Sequence, residues 1–320
     1  MTRIVFLDRA TIAQQIVLPR PAFPHDWVEH DRTAPDQIAA RIAGAGIVIT
    51  NKVRIDAAAL AAAPDLKLVA VAATGYDCVD VAACAARGVA VCNVRGYSVN
   101  TVPEHVFTLL LALRRNLLPY AAEVLDGAWQ QAGQFCFFSH PIRDLGGCTM
   151  GIVGRGGIGS KVGAIAAGFG MEVIHAARPG EPGSGDRVGF DDFLARADVI
   201  TLHCPLTPQT RGLLGAEAFA RMRRQPVILN TARGALIDLP ALERALDLGQ
   251  VSAAGIDVAD REPPAADDIL MRLARHPRVI VTPHIAWASD EAQTALVQQL
   301  IGLIEEFHAG RPRNLLTPPA

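Results

Sequence analysis

Three side chains stand just past apolar runs in the second half of the chain. They are Arg233 in "PVILNTARGALID", Glu262 in "VSAAGIDVADREPP" and His284 in "RVIVTPHIAW". Each run reads as a buried strand, and a parallel sheet binds ligands beyond the carboxyl ends of its strands. The three types suit one chemistry, the reduction of a 2-oxo acid, which needs a cation for the carboxylate, a hydride donor and a proton donor. Arg233 can clamp a carboxylate through two parallel hydrogen bonds and polarise the adjacent ketone. His284 can protonate the oxygen as hydride arrives and reclaim the proton in reverse. Glu262, hydrogen-bonded to the imidazole, would orient it and favour its charged form. Asp257, at a strand end, is placed to hold a nicotinamide carboxamide or to steady its loop. His203, in "LHCP", reads as structural, and no HxxxH or acid–histidine cluster points to a metal.

A hydride donor has its own signature upstream. "GIVGRGGIG" places Gly154, Gly156 and Gly159 at GxGxxG spacing, with an apolar strand running in and a helical pattern running out. The first glycine makes a tight turn, the second admits a pyrophosphate to the backbone, and the third lets helix and strand pack closely. Amides near Gly157 and Ile158 then meet the phosphate at the positive end of the helix. The next strand, "MEVIHAARPG", ends in Ala177 and Arg178, where an acid would bind the ribose hydroxyls of NAD. Alanine removes the acid's repulsion of a 2'-phosphate, and Arg178 offers a permanent planar cation to it. The expected cofactor is therefore NADP, with NAD as the alternative.

These residues need a scaffold. The 320 residues, half of them apolar, are enough for two ordinary domains. "RIVFL", "GIVIT", "LKLVAVA" and "VAVCN" read as strands separated by Ala-rich helical stretches, and a second series of six strands follows from "TMGIVG" to "RVIVTP". That rhythm predicts two doubly wound α/β units with parallel sheets. Between them, Thr101 and Glu104 have capping-box spacing and Pro103 fits a first turn. The helix they open is apolar almost all round, so it should be buried on several sides and pack against a second subunit. A last helix is predicted from about Ser289 to His308. A net charge of -2 without clustered Lys/Arg speaks against nucleic acid. The short apolar runs speak against a signal peptide or membrane span. The six cysteines lack paired spacing and read as buried reduced thiols. A soluble cytoplasmic protein is expected.

The motifs "TGYDCVD", "GIVGRGGIG", "LHCPLTPQTRGL", "NTARGALID", "GIDVADREPP" and "TPHIAW", in this order, make the chain similar to the D-isomer-specific 2-hydroxyacid dehydrogenases over nearly its whole length. The resemblance implies a flavodoxin-like substrate domain of residues 1–99 and 287–320, with a Rossmann cofactor domain of residues 100–286 inserted in it. It implies that Arg233, Glu262 and His284 are catalytic. It also implies that the amides of Thr74, Gly75 and Tyr76 bind the substrate carboxylate alongside Arg233 and His284. Implied cofactor contacts are Gly157, Ile158, Cys204, Thr231, Asp257, His284 and Ala286, with Thr101 approaching the nicotinamide side, and the implied assembly is a homodimer. "CNVRGYS", "FCFFSHPI" and "PHIAW" resemble the glycerate dehydrogenase and hydroxypyruvate reductase branch, which implies reduction of hydroxypyruvate or glyoxylate to the D-hydroxy acid. Some glyoxylate reductases there end the second strand in Ala-Arg or Gly-Arg and use NADPH. Tyr76, Phe135, Phe137 and Trp287 are candidate pocket walls. A dinucleotide-sensing corepressor and a phosphite dehydrogenase are the alternatives, since both keep a similar triad. Corepressors usually carry extra tails, whereas this chain starts at its first strand and ends soon after its last helix. Formate dehydrogenase is disfavoured because that activity goes with glutamine at the Glu262 position.

Overall fold

The computed structural model describes residues 1–185 and 187–317. The chain divides into two compact units, Met1–Ser98 with Ala288–Ala320, and Val99–Trp287.

Among the described residues the first unit carries a five-stranded sheet, β1 (Thr2–Phe6), β2 (His25–Glu29), β3 (Ile47–Thr50), β4 (Leu68–Val71) and β5 (Ala90–Asn93). The spatial order is β2-β1-β3-β4-β5, with every pairing parallel. This is the flavodoxin-like order, whose ligand crevice lies where the winding reverses, between β1 and β3. β3 and β4 are buried at every position, as a sheet covered on both faces requires. The helix Asp290–His308 returns to this unit and packs on β4, burying Leu296, Leu300, Leu303 and Ile304. Ser289 caps it, its hydroxyl accepting from the Ala292 amide at 3.2 Å. The tail then lies along β5, where Leu316 N donates to Val91 O at 2.8 Å.

The second unit has seven strands among its described residues. They are β6 (Thr149–Val153), β7 (Glu172–Ala176), β8 (Arg187–Val188), β9 (Val199–Leu202), β10 (Val227–Asn230), β11 (Ala253–Ile256) and β12 (Val279–Val281). Their order, β12-β11-β10-β9-β6-β7-β8, is all parallel and reverses between β6 and β9. Counted from β6 it is 3-2-1-4-5-6 with one strand added, the dinucleotide-binding order. The helix Thr101–Arg114 covers one face through Val102, Val106, Phe107, Leu109 and Leu110. Gly255 of β11 makes room for it, since a Cβ there would lie 3.1 Å from Leu109 Cβ.

Two local expectations are corrected. Asn100, not Thr101, precedes the first helical residue, and no side chain caps that end. The Thr101 hydroxyl instead donates to Ala286 O at 3.2 Å, so tertiary bonding overrides the capping box. All six cysteines are free, but only Cys84 and Cys92 are fully buried, the other four being half-buried. Burial pushes the Cys92 thiol up to about 12 and Cys78 up to about 11, which keeps both protonated and inert. Among the described residues no helix is long and apolar enough to cross a membrane.

Candidate active site

The winding of the second sheet reverses between β6 and β9, and the glycine loop leaves β6 at that point. Gly154 has φ +102°, and a Cβ on it would lie 2.5 Å from His203 O, at the end of β9. Gly159 sits in the first turn of the helix Gly157–Gly168, where a Cβ would meet Gly154 O at 2.1 Å. Gly156 has open space where its Cβ would be. The three glycines therefore meet the three needs of a phosphate loop, a tight turn, an open approach and close helix–strand packing. The helix N-terminus at Gly157 and Ile158 leaves amides without helical acceptors, which suits an anion. Gly154→Ala is expected to cost about 1–3 kcal/mol of stability through overpacking and to abolish dinucleotide binding. Denaturant unfolding and a cofactor titration check this, and wild-type values in both would mean the turn tolerates a side chain.

A cavity of about 930 Å³ opens beside that loop, lined among others by Gly154, Ala177, Arg178, Arg187, Cys204 and Thr207. Its size suits an adenosine moiety. Arg178 lies on its rim with the side chain 81% exposed and pairs with Glu181 at 3.7 Å. Burial raises the Cys204 thiol, so Cys204 is a neutral wall. His203 is also structural. Burial lowers its imidazole to about 4, and its Nε2 hydrogen-bonds Thr201 Oγ1 at 2.9 Å. Thr231 follows β10, and its hydroxyl is buried without a hydrogen-bond partner among the described residues. An orphaned buried hydroxyl calls for a ligand partner. The residues present thus fit a dinucleotide.

The three chemistry-bearing residues follow β10, β11 and β12. Buried Asn230 shapes the Arg233 turn, accepting from Ala232 N at 3.1 Å and donating to Arg233 O at 2.9 Å. Gly234 lets this turn touch the next, since a Cβ there would lie 2.1 Å from the carbonyl carbon of Ala259. That contact draws the Arg233 turn against the loop bearing Glu262, whose Oε1 accepts from Ala259 N at 3.0 Å. The other Glu262 oxygen lies 2.7 Å from His284 Nδ1. An ionised carboxylate only accepts, so Nδ1 carries the proton and Nε2 is left for exchange.

His284 sits at φ +54°, in the left-handed region, and its amide donates to Asp257 O at 2.8 Å. Asp257, 1% exposed, braces this turn, accepting from Thr282 Oγ1 at 2.5 Å, Ile285 N at 2.9 Å and Ala286 N at 2.9 Å. Ala286 is buried, with its amide on Asp257 and its carbonyl on Thr101. Asn230 and Gly234 were not singled out from the sequence, although "NTARGALID" contains both; only tertiary packing reveals their parts.

In the first unit Thr74, Gly75 and Tyr76 follow β4 at the carboxyl edge. Thr74 is tied to β5, its hydroxyl donating to Val94 O at 2.9 Å and its carbonyl accepting from Asn93 Nδ2 at 2.7 Å. At the winding reversal of this sheet, buried Asp8 accepts from the amides of Asn51, Lys52 and Val53. Burial still raises its carboxyl against those bonds. Tyr76 and Phe135 are exposed, while Phe137 packs edge-on against Tyr120 at 5.6 Å. No group of His, Cys, Asp and Glu able to hold a metal occurs among the described residues.

A dinucleotide-ordered sheet with its glycine loop, and a histidine–glutamate pair past neighbouring strands, define a nucleotide-dependent oxidoreductase. Residues 107–286 match the family described as D-isomer specific 2-hydroxyacid dehydrogenase, NAD binding domain. The chain is 45% identical to a glycerate dehydrogenase of Methylorubrum extorquens, over 98% of each chain. It is 35% identical to a hydroxypyruvate reductase of Blautia hydrogenotrophica, over 91% of this chain and 92% of that one. The crystal structure of the TT0316 protein from Thermus thermophilus superposes with a TM-score of 0.84, at 31% identity, covering 99% of this chain and 100% of that one. The chain belongs to the D-isomer-specific 2-hydroxyacid dehydrogenases, and its second unit is the family's NAD-binding domain.

Proposed function

We propose that this dehydrogenase reduces hydroxypyruvate or glyoxylate to the corresponding D-2-hydroxy acid or its achiral analogue, with NADPH preferred to NADH. The observation that carries the reading is the 2.7 Å contact of His284 Nδ1 with Glu262, past β11 and β12 of a dinucleotide-ordered sheet. The names of the Methylorubrum and Blautia relatives support the substrate class. In this reading Arg233 grips the substrate carboxylate with two hydrogen bonds and polarises the ketone. The bound nicotinamide supplies the hydride. His284, as the imidazolium, gives its Nε2 proton to the carbonyl oxygen as hydride arrives, and Glu262, accepting from Nδ1, orients the ring for that transfer. A panel of 2-oxo acids assayed with both nucleotides tests this. Turnover of hydroxypyruvate or glyoxylate is expected, and none with any 2-oxo acid would favour the sensing alternative.

Cofactor choice rests on Ala177 and Arg178. Ala177 brings no charge to the cavity, and Arg178 stands on its rim. A 2'-phosphate would compete with Glu181 for the guanidinium, and as a dianion with three acceptor oxygens it is the stronger partner. Arg178→Ala is expected to lower kcat/KM with NADPH about ten- to a hundredfold, the loss of one charge-assisted contact of roughly 1.5–3 kcal/mol, and to spare NADH. Equal losses with both nucleotides would remove Arg178 from phosphate selection.

A homodimer is part of the same proposal. Leu118, Leu125, Trp129, Phe135, Phe138 and Ile142 are all exposed within one stretch of the chain, and the helix Leu117–Leu125 buries none of its residues. An apolar stretch of that size needs a cover.

A further inference from the structure

The turn that carries His284 is held from one face of the helix Thr101–Arg114. Thr101 and His105 lie four residues apart and so share that face. Thr101 Oγ1 donates to Ala286 O at 3.2 Å, and His105 Nε2 lies 3.0 Å from Thr282 Oγ1. The helix thus grips the turn on both sides of His284. Thr282 has one hydroxyl proton, and it goes to Asp257 Oδ1 at 2.5 Å. Its oxygen can then only accept from His105, which fixes the proton on His105 Nε2. Asp257 passes the restraint on, accepting from Ile285 N and Ala286 N. His105 Nε2 is also 3.6 Å from Asp257 Oδ1, and the two side chains are 16% and 0% exposed. The restraint matters because His284 occupies a backbone region that a non-glycine residue adopts at a cost and that persists only when its surroundings impose it.

We propose that His105 is a positioning residue for the proton donor. Through Thr282 and Asp257 it sets the turn that aims His284, without touching substrate or cofactor itself. The inference rests on the reading of His284 as the acid. Its test compares His105→Leu, His105→Gln and Thr282→Val with His284→Ala. Each variant is assayed for kcat, for KM of the dinucleotide and for the primary isotope effect with 4-deuterated nucleotide.

His105→Leu removes the donor and is expected to lower kcat by about 10–100-fold, the cost of a misplacement of about 1 Å. The dinucleotide KM should stay near wild type and the isotope effect should rise, because the chemical step becomes slower. His105→Gln keeps an N–H donor of similar reach and should recover most of the rate, which a packing role would not require. Thr282→Val removes the same bond from its other end. It also removes the bond to Asp257, so it should be impaired at least as much as His105→Leu, and the double variant should be little worse than Thr282→Val alone. Thr282→Val with His105→Gln keeps the test usable should the leucine variant fail to fold.

Wild-type kcat and isotope effect in His105→Leu, or glutamine and leucine variants equally impaired, would overturn the positioning role. Retained turnover in His284→Ala would take down the acid assignment and this inference with it. An inactive His284→Ala beside a normal His105→Leu would take down the inference alone.

Discussion

His284→Ala is expected to lower kcat for 2-oxo acid reduction by about 10²–10⁴, the range for losing a positioned general acid. The imidazole is held on one side by Glu262 at 2.7 Å and from behind by a turn whose amides bond Asp257. No other described histidine lies in the loop directly after β10, β11 or β12. Water would have to protonate the developing alkoxide in its place. Dinucleotide affinity should stay close to wild type, because the glycine loop and the cavity beside Arg178 are formed by other strands. A stopped-flow measurement of nucleotide oxidation, with a separate binding titration, checks both halves. A variant that kept near-normal turnover would show that the proton comes from elsewhere.

Arg233→Ala should damage binding and turnover together. Two charge-assisted hydrogen bonds to a carboxylate are worth about 3–6 kcal/mol, so kcat/KM is expected to fall on the order of 10²–10⁴. The guanidinium is asked both to bind the substrate and to align its ketone, so KM should rise while kcat falls. Arg233→Lys, which keeps the charge but loses the planar fork, should recover only part of the loss. A rise in KM with kcat unchanged would reduce Arg233 to a uniform binding contact. The turn itself should survive, since Asn230 holds its backbone and Gly234 its packing.

Much of this fold is legible in sequence because parallel strands buried on both faces are written as continuous apolar runs, as in Leu68–Val71 and Val227–Asn230. β2, His25–Glu29, escaped that signal. It is an edge strand of "HDWVE" with no fully buried residue, and charge at an edge hides the pattern while protecting the strand. β8 is two residues long and leaves no periodicity to read. The capping-box reading of Thr101 failed because a hydroxyl at a helix start has two outlets, and Ala286, far along the chain, supplied the better one. The glycine loop was readable because each glycine answers a local steric demand. The partnership of Thr101 and His105 with the His284 turn was not, since it spans 177 to 185 residues of chain and depends on two elements meeting. Glu181 pairs with Arg178 because three residues across a turn bring opposite charges together, a contact that strand-end chemistry alone does not signal.

The most direct measurement follows the label. Hydroxypyruvate is reduced with 4-deuterated nicotinamide nucleotide, and the product is resolved on a chiral column and examined by NMR. D-glycerate carrying deuterium at C2 in wild type, with product formation lost in both His284→Ala and Arg233→Ala, is the predicted result. L-glycerate, product without the label at C2, or undiminished product from either variant would contradict it.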